Sequence, residues 1–329
     1  MIQPTLNYVS CASSILPTAK PHSMAYWQWG SPVAEHVIVC VHGLSRQGRD
    51  FDVLARALVA QAASQDHLLR VVCPDVVGRG QSDWLPDAER YQIPTYAADM
   101  LTLLARLHAE APVTQLDWVG TSMGGLIGMA VLGSPQLVLP APVRKLVLND
   151  VGPTLEWTAL QRIGTYLGRS GEFESVHAAA EALWAVSSSF GPHTPAQWHA
   201  LCAAMVRPAQ SLASGNSSAI GSWKLHYDPA IATPFRSATQ ATTEAGQAAL
   251  WHLYEQITAD TLLLRGALSD LLSRSTADEM TRRGPKARLI EFEGVGHAPT
   301  LVAGDQVTAV TGFLLGGALT MLMRQHEKQ

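Results

Sequence analysis

Charge is scarce in this chain. Of 329 residues, 23 are Lys or Arg and 27 are Asp or Glu, a formal net charge of −4, and no long basic run occurs. That leaves no electrostatic footprint for nucleic acid or an anionic membrane surface, so small molecules are the expected partners. Cysteine is also rare. Cys11, Cys40, Cys73 and Cys202 lie far apart with no C-x-x-C spacing, which excludes a zinc finger or a disulfide scaffold and suggests buried free thiols. The opening "MIQPTLNYVSCASSILPTAK" lacks a basic start followed by an apolar block of secretory length, and a cytoplasmic location is the expectation. One uncharged run, Val307 to Leu322, approaches the length of a membrane span, but its threonines and paired glycines fit a packed terminal helix better. Internal repeats and low-complexity linkers are missing, and nothing specifies an oligomeric state.

What is present is enough apolar residue, 47% of the chain, to build one large core with room for an inserted subdomain. "HVIVCVHG", "LRVVCPDVVGRGQS", "QLDWVG" and "VRKLVLND" read as short buried strands. Between them, "RDFDVLARALVAQA", "TYAADMLTLLARLHAE" and "MGGLIGMAVLG" carry apolar residues at helical spacing. Strand and helix in alternation predict crossover connections, a mostly parallel sheet and an α/β fold. "MAYWQWGS" is expected to add an antiparallel edge strand. The alternation stops between about Pro153 and Phe235, where three helix-like stretches follow one another without a strand, and resumes with "DTLLLRG" and "ARLIEFEG". The expected organisation is a core in two parts, 1–152 and 236–329, interrupted by a helical cap over 153–235.

The most informative stretch is "GTSMGG", residues 120 to 125, between a strand and a helix. A G-x-S-x-G turn holds its serine in a strained conformation, so residues two positions away must be small. Ser122 would stand above the sheet edge, with the Met123 amide at the start of the next helix, where negative charge is favoured. The plainer reading is a glycine-rich turn whose serine caps a helix.

A serine hydroxyl needs a base, and an imidazole serves when a carboxylate orients it. "LIEFEGVGHAPT" sets His297 after one strand, and "TLLLRGALSDLLS" sets Asp270 after another. Parallel strands end on one side, so both loops open beside Ser122. Asp270 is the favoured acid; Asp150, ending "LVLND", is the competitor. An oxyanion formed at Ser122 would need two donors, and the Met123 and Leu44 amides are the candidates, the latter in "VHGLS". His42 in that loop reads as structural rather than as the base.

Taken together, "HGLS" at 42–45, "PDVVGRGQSD" at 74–83, "GTSMGG", "GALSD" at 266–270 and "GVGH" at 294–297 resemble the α/β-hydrolase fold family, in its branch with a helical cap. Within that family, epoxide hydrolases and haloalkane dehalogenases carry aspartate at the elbow, and Ser122 sets them aside. The resemblance implies a cofactor-free serine hydrolase of small carboxylic esters. Thioesterase, lactonase, carbon–carbon bond hydrolase and 3-hydroxybutyrate oligomer hydrolase are its alternatives. A ligand receptor on the same fold is the reading from another class, and a non-catalytic interaction protein is a third. Aromatics of the insertion, Trp157, Tyr166, Phe173, Trp184, Phe190, Trp198, Trp223 and Tyr227, offer a pocket lining, of which Trp184 and Trp223 are the candidate substrate contacts. Arg46 and Arg49 could read a substrate carboxylate, against the ordinary fate of solvation at the surface. "SLASGNSSAIGS" is a candidate hinge.

Overall fold

The computed structural model describes residues 3–12, 20–169, 171–209 and 222–316. The strands are β1 (Thr5–Cys11), β2 (His22–Gly30), β3 (His36–Val41), β4 (Arg70–Pro74), β5 (Gln115–Thr121), β6 (Val143–Asn149), β7 (Glu172–Phe173), β8 (Val206–Pro208), β9 (Trp223–Leu225), β10 (Asp260–Gly266) and β11 (Arg288–Phe292). The helices are α1 (Asp52–Ala63), α2 (Ile93–Glu110), α3 (Met123–Leu132), α4 (Trp157–Tyr166), α5 (Val176–Ser187), α6 (Pro195–Ala203), α7 (Thr233–Ser237), α8 (Gln240–Glu255), α9 (Arg274–Met280) and α10 (Gly304–Leu315).

Eight strands form one sheet in the order β1-β2-β4-β3-β5-β6-β10-β11. From β4 to β11 every pairing is parallel, while β1 and β2 run antiparallel. The strand expected at the edge, β2, is therefore second from it, because the N-terminal segment adds β1 outside it.

The central strands are buried on both faces, and their residues alternate between two cores. Val37, Val39 and Val41 of β3 face one side with Trp118 of β5 and Leu146 of β6. Ile38 and Cys40 of β3 face the other with Val119 and Val147. On the first side Tyr96, Met100, Leu103, Leu104 and Leu107 make the apolar stripe of α2, at the helical spacing that the sequence displays. On the second, α1 packs against α10. All four cysteines are unpaired and buried.

The segment between β6 and α8 carries helices α4 to α6 at the three helix-like stretches of the sequence, and a short further helix, α7. It also carries a small antiparallel sheet of order β7-β9-β8 that sequence reading did not foresee. Strands of two and three residues are too short to display a period of two, so pattern cannot reveal them. Ser175 caps α5, and Thr194 with Gln197 forms a capping box on α6. The stretch "SLASGNSSAIGS" falls at the border of the described residues, all but its last residue outside them. Among the described residues no helix is long and apolar enough to cross a membrane.

Candidate active site

Ser122 sits between β5 and α3 with φ 51° and ψ −116°, a conformation that L side chains rarely adopt. Its amide donates to the carbonyl of Asn149 at 2.9 Å, and its carbonyl accepts from the Gly125 and Leu126 amides, so the strain is held from both sides. The glycines exist for close approach. A Cβ on Gly120 would collide with the Gly124 backbone, and one on Gly124 with the carbonyl of Val41. Only bare backbone lets α3 start this close to β3 and β5.

Ser122 Oγ lies 3.0 Å from His297 Nε2, and His297 Nδ1 lies 2.7 Å from Asp150 Oδ2. The imidazole follows β11 in a loop tied down by Asn149, whose Nδ2 donates to the Pro299 carbonyl at 2.8 Å. Asp150 follows β6 directly, is fully buried, and has a φ of 56°. Its Oδ1 accepts from the Gly266 amide at 2.9 Å and its Oδ2 from Ser269 Oγ at 2.7 Å.

The carboxylate beside His297 is thus Asp150, the competitor, rather than Asp270. Asp270 turns outward into a two-pronged ion pair with Arg162 of α4, at 2.6 and 2.9 Å, with both side chains substantially exposed. Two aspartates followed strands at the same edge; the neighbour of Asp270, Ser269, reaches in to the carboxylate that occupies the inner position.

The loop after β3 lies against Ser122. His42 is fully buried, its Nδ1 donating to the Gly43 carbonyl at 2.7 Å and its Nε2 accepting from the Val76 amide at 2.9 Å. Those two bonds require the neutral ring, and burial pulls its pKa down to about 3. Because the Gly43 carbonyl points down to His42, the N–H of Leu44 across that planar trans peptide points the other way. The Leu44 carbonyl is held in turn by Arg79 Nε at 2.8 Å. Among the described residues neither the Leu44 nor the Met123 amide donates to another protein group. Sequence reading passed over Arg79. It is fully buried beside the faces of Tyr91 and Tyr96 and has no carboxylate partner among the described residues.

Ser122 and His297 open into a cavity of about 90 Å³. The insertion covers it with Ile163, Tyr166, Leu167, Phe190 and Leu201. Trp184 and Trp223 do not line it. Trp184 packs against Trp198, ring centres 5.0 Å apart, and Trp223 is paired across the small sheet with Phe173 and Pro208. Of the two arginines, Arg49 is paired with Asp52 and lies over Trp27, whereas Arg46 lines the cavity together with Asp50.

Among the described residues one group, Cys11, His22 and Asp99, has the proximity that a metal ion needs. It lies at β1, β2 and α2 rather than beside Ser122. His22 Nε2 and Asp99 Oδ2 are at hydrogen-bond distance, 2.9 Å, and burial pushes the Cys11 thiol far up, so it stays protonated. This donor set suits an internal hydrogen-bond network better than an ion.

Residues 38–310 match the model of the alpha/beta hydrolase family. The chain is 47% identical over 313 residues to a 3-hydroxybutyrate-oligomer hydrolase of Cupriavidus necator, covering 95% of this chain and 98% of the other. A solved alpha/beta hydrolase from Novosphingobium aromaticivorans superposes with a TM-score of 0.74 at 29% identity, covering 96% of this chain and 100% of that one. A structure from Rickettsia typhi gives 0.79 at 25% identity over the same shares.

Proposed function

The chain belongs to the alpha/beta hydrolase family and is a hydrolase of ester bonds, and from that premise we propose that it cleaves short oligomers of hydroxy acids through an acyl-enzyme on Ser122. The observation that carries this reading is the continuous chain of hydrogen bonds from Ser122 Oγ through His297 to the buried Asp150. In it, His297 Nε2 takes the hydroxyl proton as Oγ attacks the ester carbonyl, while Asp150 holds Nδ1–H and balances the imidazolium. The Leu44 and Met123 amides receive the oxyanion. Collapse breaks the ester C–O bond, and His297 returns the proton to the departing alkoxide. Water then repeats the sequence on the acyl-enzyme and releases the acid.

The choice of hydroxy-acid oligomers among the ester classes rests on the Cupriavidus necator relative, and the small cavity suits a short acyl unit. Residues 153–235 act as a cap, since five of the cavity's apolar walls come from them. Four buried unpaired thiols accord with a cytoplasmic location.

The test is Ser122→Ala. On p-nitrophenyl butyrate and on the linear dimer of 3-hydroxybutyrate, kcat should fall roughly 10⁴-fold or more, with the thermal melt unchanged. A fluorophosphonate should add its mass to the peptide containing Ser122 and to no peptide of the variant. Retained turnover in the variant removes the serine mechanism.

A further inference from the structure

The cavity holds a charged pair that the acyl-transfer chemistry does not use. Arg46 and Asp50 both line it, joined through Arg46 Nε to Oδ2 at 2.6 Å and Nη2 to Oδ1 at 2.8 Å. With that edge of the guanidinium occupied, Nη2 makes one further long contact, 3.5 Å to the Leu201 carbonyl, and Nη1 has no partner among the described residues. Arg46 is close to the nucleophile: a Cβ placed on Gly43 would lie 3.7 Å from Arg46 Cγ and 3.7 Å from Ser122 Cβ. One missing side chain separates the two.

Resting on the hydrolase reading above, we infer that Arg46, held flat by Asp50, receives the free carboxylate on the alcohol half of the substrate, so that the enzyme removes units from the carboxylate end of a hydroxy-acid oligomer. Three features argue for it. A planar guanidinium clamped along one edge presents its remaining N–H groups in a fixed direction, which suits a carboxylate and wastes little side-chain entropy. Local charge does not oppose an anion, because Asp50 balances Arg46 while Arg79, behind the Leu44 carbonyl, sets a second cation against the buried Asp150. The alcohol half is also short: in a 3-hydroxy-acid ester only two carbons separate the ester oxygen from the terminal carboxylate carbon, and Arg46, Ser122 and His297 line the same cavity. In the step itself the acyl half passes to Ser122, the ester C–O bond breaks, and the alcohol that leaves, protonated by His297, is the hydroxy acid held at Arg46.

The experiment compares two substrates, the linear 3-hydroxybutyrate dimer as free acid and as its terminal methyl ester, scoring cleavage of the internal ester in both. In the unaltered enzyme kcat/KM should favour the free acid, and Arg46→Gln should reduce the ratio of free acid to methyl ester by roughly 30-fold, chiefly through KM. Arg46→Gln with Asp50→Asn removes both charges, leaves no unpaired carboxylate, and should reduce the ratio likewise. A merely structural role lowers both substrates together and leaves the ratio where it was, which overturns the inference. So does an unaltered enzyme that turns over the methyl ester as well as the acid. Inactivity of the unaltered enzyme on both substrates would instead defeat the hydroxy-acid reading from which the inference starts.

Discussion

At the scale of single residues, the acid of the relay turns on where two aspartates settle. Asp150 is fully buried and holds four groups in register: the His297 ring, the Gly266 amide, Ser269 Oγ and, through its own amide, the Leu264 carbonyl. Asp150→Asn keeps the shape but removes the charge and admits the wrong imidazole tautomer, so kcat should fall about 10³–10⁴-fold. Asp270→Asn breaks only an exposed ion pair, worth about 0–1 kcal/mol, and should leave kcat within about threefold. Steady-state kinetics of the two variants decide it, and the reverse order of effects would return the role to Asp270. Sequence alone leaves the two open because each follows a buried strand at the same edge. What separates them is a positive φ at Asp150 and the hydrogen bonds from the strand beside it, and neither has a pattern in the chain. Ser122 and His297 were legible because a G-x-S-x-G turn and a G-x-G-H loop carry local steric requirements. Trp184 and Trp223 were misjudged for the opposite reason: composition counts aromatics but does not say which way a helix or a three-residue strand faces.

At the scale of elements, the same substitution should have opposite signs in two helices. Gly124 is at the second position of α3, where an added Cβ meets the backbone carbonyl of Val41, and backbone cannot rotate away. Gly124→Ala should therefore cost about 1–3 kcal/mol or more and displace the Met123 amide, lowering activity along with stability. Gly246 lies in the exposed interior of α8, with nothing within 4 Å of a Cβ there. Gly246→Ala should stabilise by about 0.5–1 kcal/mol through the unfolded state alone, and leave activity untouched. Urea midpoints of the two variants test this; a loss at Gly246 or no loss at Gly124 contradicts the packing described. The main parallel sheet was readable in the chain because long buried strands and amphipathic helices have periods. The small sheet β7-β9-β8 was not, since its partners lie far apart in sequence and each is too brief to show one.

At the scale of the whole molecule, buried titratable groups give stability a direction with pH. Burial lowers the pKa of His42 to about 3 and of His226 to about 4, and pulls His67 below its ordinary value, against 6.5 for the free side chain. As pH falls below 6.5 the unfolded chain binds protons at these sites that the folded chain refuses, so linkage drains stability as acid is added. Two aspartates act in the other sense. Burial raises Asp75 to about 6 and raises Asp50 despite its Arg46 partner, so the folded chain takes up these protons before the unfolded one, whose value is 3.8. The histidine window, set by 6.5 in the unfolded chain, opens above that of Asp75 at about 6, so between pH 7 and 6 the histidines meet less of its opposition. Below that the aspartates offset part of the loss. The urea midpoint should therefore begin to drop between pH 7 and 6 and continue down more gently toward pH 4.5. His226 is outside the site, and His226→Asn should make the first part of that decline shallower. A midpoint that climbs from pH 7 to 6 would contradict this balance of buried neutral histidines against raised aspartates.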